Sequence, residues 1–137
     1  MALSKEEVLD LIKDAGFGYL ATVEGGQPRV RPMMPLLTDE GELLIALLKR
    51  SRTIQQIQDN PQVEICFVDR KMWYCRVTGK GSIVENIEKK TLLWNNIPML
   101  KQYFSGPEDE GFILLEIKIQ GLEAMTPHQK EPEEINL

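Results

Sequence analysis

The sequence predicts a mostly β protein, an antiparallel barrel of six strands with helices at its periphery. Three observations point there. Six segments read as strands, with alternation plainest at 17–23 and 111–125. Several are joined by short glycine- or charge-bearing turns, so sequence neighbours pair as hairpins rather than through βαβ crossovers. No glycine fingerprint follows a strand, which excludes dinucleotide-binding and P-loop sheets.

The first element is a helix. Ser4 and Glu7 have capping-box spacing, each side chain satisfying a free amide of the first turn. Val8, Leu11, Ile12 and Ala15 then recur at helical spacing, and Gly16 stops the run, giving a helix over Lys5–Ala15. "FGYLATV" (17–23) is the first strand, and the paired glycines of "EGGQ" make the turn. "PRVRPMMPLL" (28–37) returns, but Pro32 and Pro35 cannot donate to a ladder, so this strand is expected at an edge or bulged. "TDEG" turns into "ELLIALL" (42–48), completing a meander that sets strand two beside strand three.

A second capping box is expected from Thr53 to Gln56, with Ile54 and Ile57 on one face and Asn60-Pro61 as the stop. "QVEICFVD" (62–69) and "MWYCRVTGKGSIVE" (72–85) form a hairpin around Arg70-Lys71. Residues 86–97 and 98–104 read as two helices divided at Pro98. The last strand, 111–125, puts Ile113, Leu115, Ile117 and Ile119 on one face and Glu116, Lys118 and Gln120 on the other. Residues 1–125 thus form one domain, and 126–137 form a polar C-terminal tail.

Composition narrows the function classes. The chain has 137 residues, the size of one domain, with 42% apolar and 27% charged residues. A net charge of −5 argues against general nucleic-acid binding. No apolar run approaches the ~18 residues of a membrane span. The opening segment is acidic and amphipathic, unlike a secretory signal, so a cytoplasmic location is expected. Cys66 and Cys75 lie in strand-like segments and read as reduced core residues. No metal site is expected, because the single histidine, His128, lies in the tail.

Two cationic clusters could bind an anion. Lys49, Arg50, Ser51, Arg52 and Thr53 stand where a strand runs into a helix, so free amides and the positive end of the helix dipole coincide with three cations. That pattern suits a site of about one phosphate's size, and equally a solvated basic turn with ordinary caps. Arg29 and Arg31 share a strand face, where they repel unless an anion or carboxylate lies between them. Met33 and Met34 beside them offer a flat apolar surface for a planar ring. Tyr74 faces away from Trp73 and Cys75 and could meet a ligand edge. No nucleophile–base arrangement emerges, so no catalytic side chain is named and any redox chemistry would belong to a cofactor.

The ordered segments "GYLATV" and "GGQPRVRP", then "RSRTIQQIQDNPQVEICF", then "RVTGKGSIVE", resemble the pyridoxamine 5′-phosphate oxidase-like FMN-binding split barrels, particularly the general-stress-protein-26-like branch. The resemblance spans roughly Gly16 to Met125 and implies a six-stranded antiparallel split β-barrel with flanking helices. It further implies a homodimer with FMN at the subunit interface. Arg31, Pro32, Met33 and Met34 then meet the flavin and its phosphate, and Ala46 and Leu47 line the ring. Ser51-Arg52-Thr53 occupy a triplet that usually reads Ser-Arg-Lys, so Lys49 or Arg50 would supply the missing charge. Tyr74 takes a position often held by glutamine. True pyridoxamine phosphate oxidases end in a tryptophan and an arginine that "TPHQKEPEEINL" lacks, so the expected substrate is a different small molecule, and the deazaflavin F420 or haem is the alternative to FMN.

Overall fold

The computed structural model describes residues 3–136. Its elements are α1 (Lys5–Ala15), β1 (Gly18–Glu24), β2 (Gln27–Met33), β3 (Leu36–Leu37), β4 (Glu42–Leu48), α2 (Arg52–Asp59), β5 (Gln62–Val68), β6 (Tyr74–Val84), α3 (Ile87–Asn96), a 3₁₀ turn (Pro98–Gln102), β7 (Phe112–Met125) and β8 (Glu133–Glu134). The protein is mostly β, as expected. All strand pairs are antiparallel, in the order β2-β1-β5-β6-β7-β4-β3, with β8 added to β7.

The two ends of that order, β2 and β3, are consecutive in the chain. Met34 and Pro35 alone separate them, a link of at most about 11 Å. One broken strand therefore holds both edges of the sheet together through covalent chain, which makes the barrel split. This corrects the expected continuous strand over 28–37. Residues 27–33 pair with β1, and only Leu36 and Leu37 pair with β4. The prolines explain the break, because a residue without an N–H cannot extend a ladder on its donor side. It also corrects the meander, since Arg31 lies opposite Leu20 of β1 and not beside β4.

The turn between β1 and β2 needs its glycines: Gly25 and Gly26 adopt φ of 55° and 83°, a region other residues avoid. Gly79 has a different reason. It sits at a bulge between β6 and β7, where an added Cβ would stand 2.5 Å from the Lys118 carbonyl oxygen.

Two apolar layers hold the fold. Inside the barrel Leu20, Leu43, Ile45, Ile65, Phe67, Val77, Leu115 and Ile117 pack together, and Val8, Leu11 and Ile12 of α1 close one side. Each such fully buried side chain contributes roughly 1.5–3 kcal/mol. The second layer lies on the opposite face of β4 and β7, where Leu44, Phe112 and Leu114 meet Leu93, Ile97, Leu100 and Phe104. The Phe104 and Phe112 rings stack with centroids 4.8 Å apart.

Glu116 lies on the face of β7 opposite Leu115 and Ile117, and it is 8% exposed because α3 covers this side of β7. Lys89 of α3 neutralises it, donating to Glu116 Oε2 at 2.7 Å and to Glu42 Oε1 at 3.0 Å. The polar tail doubles back over its described residues, 126–136: Glu133 and Glu134 pair with β7, and the Ile135 N–H donates to the Leu122 carbonyl at 2.8 Å. Among the described residues no helix is long and apolar enough to cross a membrane, and no cluster of metal-binding side chains occurs.

Candidate functional site

A cavity of about 370 Å³ opens where β2 leaves the sheet and β4 ends. Pro32, Met33 and Met34 line one wall, and Ala46, Leu47 and Leu48 another. Ser51 stands at its mouth toward α2. The broken strand makes this opening, since the chain between β2 and β3 carries Met34 across the gap between the sheet edges. Of the residues the sequence suggested, Pro32, Met33, Met34, Ala46, Leu47 and Ser51 come together here.

The remaining wall was not anticipated. Met99, Leu100, Tyr103 and Phe104 come from the 3₁₀ turn and the residues after it, and Phe17 stands just before β1. Phe17, Leu48, Met99 and Tyr103 are large apolar residues left exposed at 45%, 49%, 38% and 57%. For Met99 and Tyr103 the signal in the sequence is an aromatic- and methionine-bearing segment just after Pro98, where a helix is expected. Ser51 is the only lining side chain with a polar head besides the Tyr103 phenol, so the cavity suits a flat, apolar group.

Beyond Ser51 the character changes. Ser51 is the N-cap of α2, its Oγ accepting from the Thr53 N–H at 3.2 Å and its own N–H donating to the Leu48 carbonyl at 2.8 Å. The expected Thr53–Gln56 capping box is therefore corrected: the helix starts two residues earlier, and Thr53 is buried inside its first turn. No acidic residue occupies that turn. Lys49, Arg50 and Arg52 are exposed, and among the described residues none forms an ion pair. The helix dipole and three cations thus face solvent together.

Arg31 reaches α2 from beneath. Opposite Leu20, it shares the inner face of the sheet and lies under the helix. Its Nη1 donates to the Leu20 carbonyl at 3.1 Å and its Nη2 to Gln56 Oε1 at 2.7 Å. Gln56 is 3% exposed and also accepts from the Thr22 hydroxyl. Its amide nitrogen donates to Glu24 Oε2 at 3.0 Å, while Glu24 Oε1 takes the Arg29 Nε at 3.1 Å. Desolvation lowers the proton affinity of Arg31 from its ordinary value. Glu24 opposes that shift, and Arg29 and Arg52 reinforce it. The bond from Gln56, more than any other contact, holds the Glu24 carboxyl below its usual range.

Tyr74 stands elsewhere. It pairs with Met125 at one end of β7, and its hydroxyl donates to the Met125 sulfur at 3.3 Å. Leu47 pairs with Ile113 at the other end, 12 residues away by subtraction, or about 40 Å along an extended strand. One subunit does not bring Tyr74 to the cavity. It shares the outer face of the sheet with Tyr19 and Val30, exposed at 45% and 70%. Neither cysteine offers a nucleophile: both are free, burial raises the Cys66 thiol, and burial pushes Cys75 up to about 12.

Residues 4–126 match the profile of the family described as pyridoxamine 5′-phosphate oxidase. General stress protein 26 of Bacillus subtilis (strain 168) is 29% identical over 140 residues, covering 97% of this chain and 96% of that protein. The crystal structure of General Stress Protein 26 from Bacillus anthracis str. Sterne superposes with a TM-score of 0.82 at 29% identity, covering 97% of this chain and 98% of the other. A nimc/nima family protein from Clostridium acetobutylicum gives 0.78 at 31% identity, over 96% and 91% of the two chains. Two structures share the fold at lower identity. They are an FMN binding protein from Nostoc punctiforme PCC 73102 (17%, TM-score 0.73, all of both chains) and the haem storage protein HutZ from Vibrio cholerae (19%, TM-score 0.72, 89% and 94%).

Proposed function

Because the chain belongs to the pyridoxamine 5′-phosphate oxidase family, we propose that it binds FMN and transfers electrons or hydride to a small molecule other than pyridoxine phosphate. One observation carries this reading. A largely apolar cavity reaches Ser51 at the start of α2, where Lys49, Arg50 and Arg52 form no ion pair among the described residues. An aromatic ring that carries a phosphate matches both halves. Ser51, Arg52, Thr53 and Lys49 would hold the phosphate with Arg31 behind them, and Met33, Met34, Ala46 and Leu47 would face the ring. The isoalloxazine, when bound, supplies the redox chemistry. The apolar walls exclude water from it, and Ser51 orients the chain that joins ring to phosphate.

The exposed apolar residues around the cavity and on the β1–β2 outer face support a homodimer, with the cofactor at the interface. In that dimer Tyr74 would serve the partner's site, since its own is out of reach. Residues 1–125 form the cofactor-binding unit in this reading, with 126–137 appended. Free Cys66 and Cys75 support a cytoplasmic location.

The visible spectrum of the purified protein tests the cofactor, flavin bands being expected. Arg52→Ala should weaken FMN binding about tenfold to a hundredfold, the loss of one charge-assisted hydrogen bond. An unchanged dissociation constant counts against the site. The second reading is a carrier or sensor without turnover, for FMN, F420 or haem. Its support is that the Tyr103 phenol is the single titratable side chain among the described residues lining the cavity. FMN is favoured over haem because His128, the one histidine, lies outside that lining. Turnover of a reduced nicotinamide with an artificial acceptor separates enzyme from carrier.

A further inference from the structure

Gln56 is a long polar side chain buried in the middle of α2, where leucine or methionine would fill the space without needing partners. Both ends of its amide are used. The oxygen accepts from Thr22 and from Arg31 Nη2, and the nitrogen donates to Glu24 Oε2. The amide therefore stands between the guanidinium of Arg31 and the carboxylate that would neutralise it. Each takes one end of a neutral group, and they do not pair with each other.

The consequence is electrostatic. Arg31 makes two hydrogen bonds, both to carbonyl oxygens, which fix the plane of its fork without cancelling its charge. Of its five N–H groups three remain for another acceptor. Glu24 shares the Gln56 amide with Arg31 and is the carboxylate whose charge acts on it, so without the amide at 56 an Arg31–Glu24 pair could close and offset the charge. We infer that Gln56 is a positioning residue: it aims Arg31 and insulates it from Glu24, so that the guanidinium stays available to a phosphate at the start of α2. The inference rests on the phosphate reading above, and it assigns Gln56 a task separate from packing.

The test compares two ligands on the full-length protein. FMN carries the phosphate and riboflavin lacks it, so the ratio of their dissociation constants isolates what the phosphate contributes. Gln56→Glu places a carboxylate on Arg31. Gln56→Met keeps the volume and removes the amide, and it serves if the first variant unfolds. Both should lower FMN preference over riboflavin by about tenfold or more, with riboflavin affinity changed less than about threefold. A wild-type ratio near one means the phosphate reading fails, and this inference with it. A clear wild-type preference that survives in both variants overturns the inference alone, even if their melting temperatures fall, because a residue that only packs would weaken both ligands together.

Discussion

Lys89 and Arg31 are both cations drawn partly out of water, and they differ in what faces them. Lys89 donates to Glu116 at 2.7 Å and Glu42 at 3.0 Å, so one positive charge meets two carboxylates. Glu116 first and Glu42 second raise its hold on the proton above the ordinary lysine value. Arg31 meets only neutral oxygens, and desolvation lowers its hold. At α3 the cation is matched by carboxylates of the chain itself, and the cluster ties helix to sheet. At α2 Glu24 offsets part of the charge of Arg29, Arg31 and Arg52, while Lys49, Arg50 and Arg52 form no ion pair among the described residues.

The difference can be broken in three ways. The largest effect is expected from Arg31→Ala, which should weaken FMN binding on the order of a hundredfold while leaving the melting temperature nearly unchanged. Gln56 keeps its Thr22 partner in that variant, so little polar surface is orphaned. A loss under threefold, read by flavin fluorescence titration, would erase the distinction from Lys89.

Lys89→Met should do the reverse. Two partly buried carboxylates would lose their cation, lowering the unfolding free energy by about 2 kcal/mol in urea denaturation, with FMN affinity unchanged. A shift in FMN affinity would show that the α3 anchor and the cavity are coupled.

A smaller effect should appear in acid. The Glu116 carboxyl is held below its ordinary 4.5, chiefly by Lys89. A depressed folded value means that the stabilisation is complete above the unfolded value and is lost as pH falls through the folded one. Wild-type stability should therefore decline on acidification below 4.5, and in Lys89→Met that decline should be shallower. Equal slopes in urea titrations at several pH values would remove Glu116 from the account.

Much of this was readable in one dimension. Alternation along 18–24, 62–68 and 112–125 marks strands because side chains point to opposite faces at a period of two, and the apolar run at 42–48 marks another. The Ser4–Glu7 box, confirmed at 3.2 Å and 3.0 Å, is a contact between residues three apart. The basic seam at 49–53 was visible for the same reason. What misled was long-range. Gln56 looked like a capping partner because it follows Thr53 by three, whereas its partners lie at 22, 24 and 31. Nothing local to Glu116 told that α3 would cover it.

The sequence by itself determined which segments are strands and helices, where the chain turns, that the cations cluster before α2, and that no side-chain nucleophile is on offer. These follow from local preferences: backbone sterics, caps and the periodicity of burial. Only the tertiary structure decided that the 28–37 segment breaks to hold both sheet edges, that Met34 and the residues after Pro98 enclose one cavity, and that Tyr74 stands at the far end of β7. It also decided that Arg31 donates only to neutral oxygens while Lys89 is paired with two carboxylates. Strand order and the partners of a charge depend on which distant groups share one small volume, and no local pattern carries that.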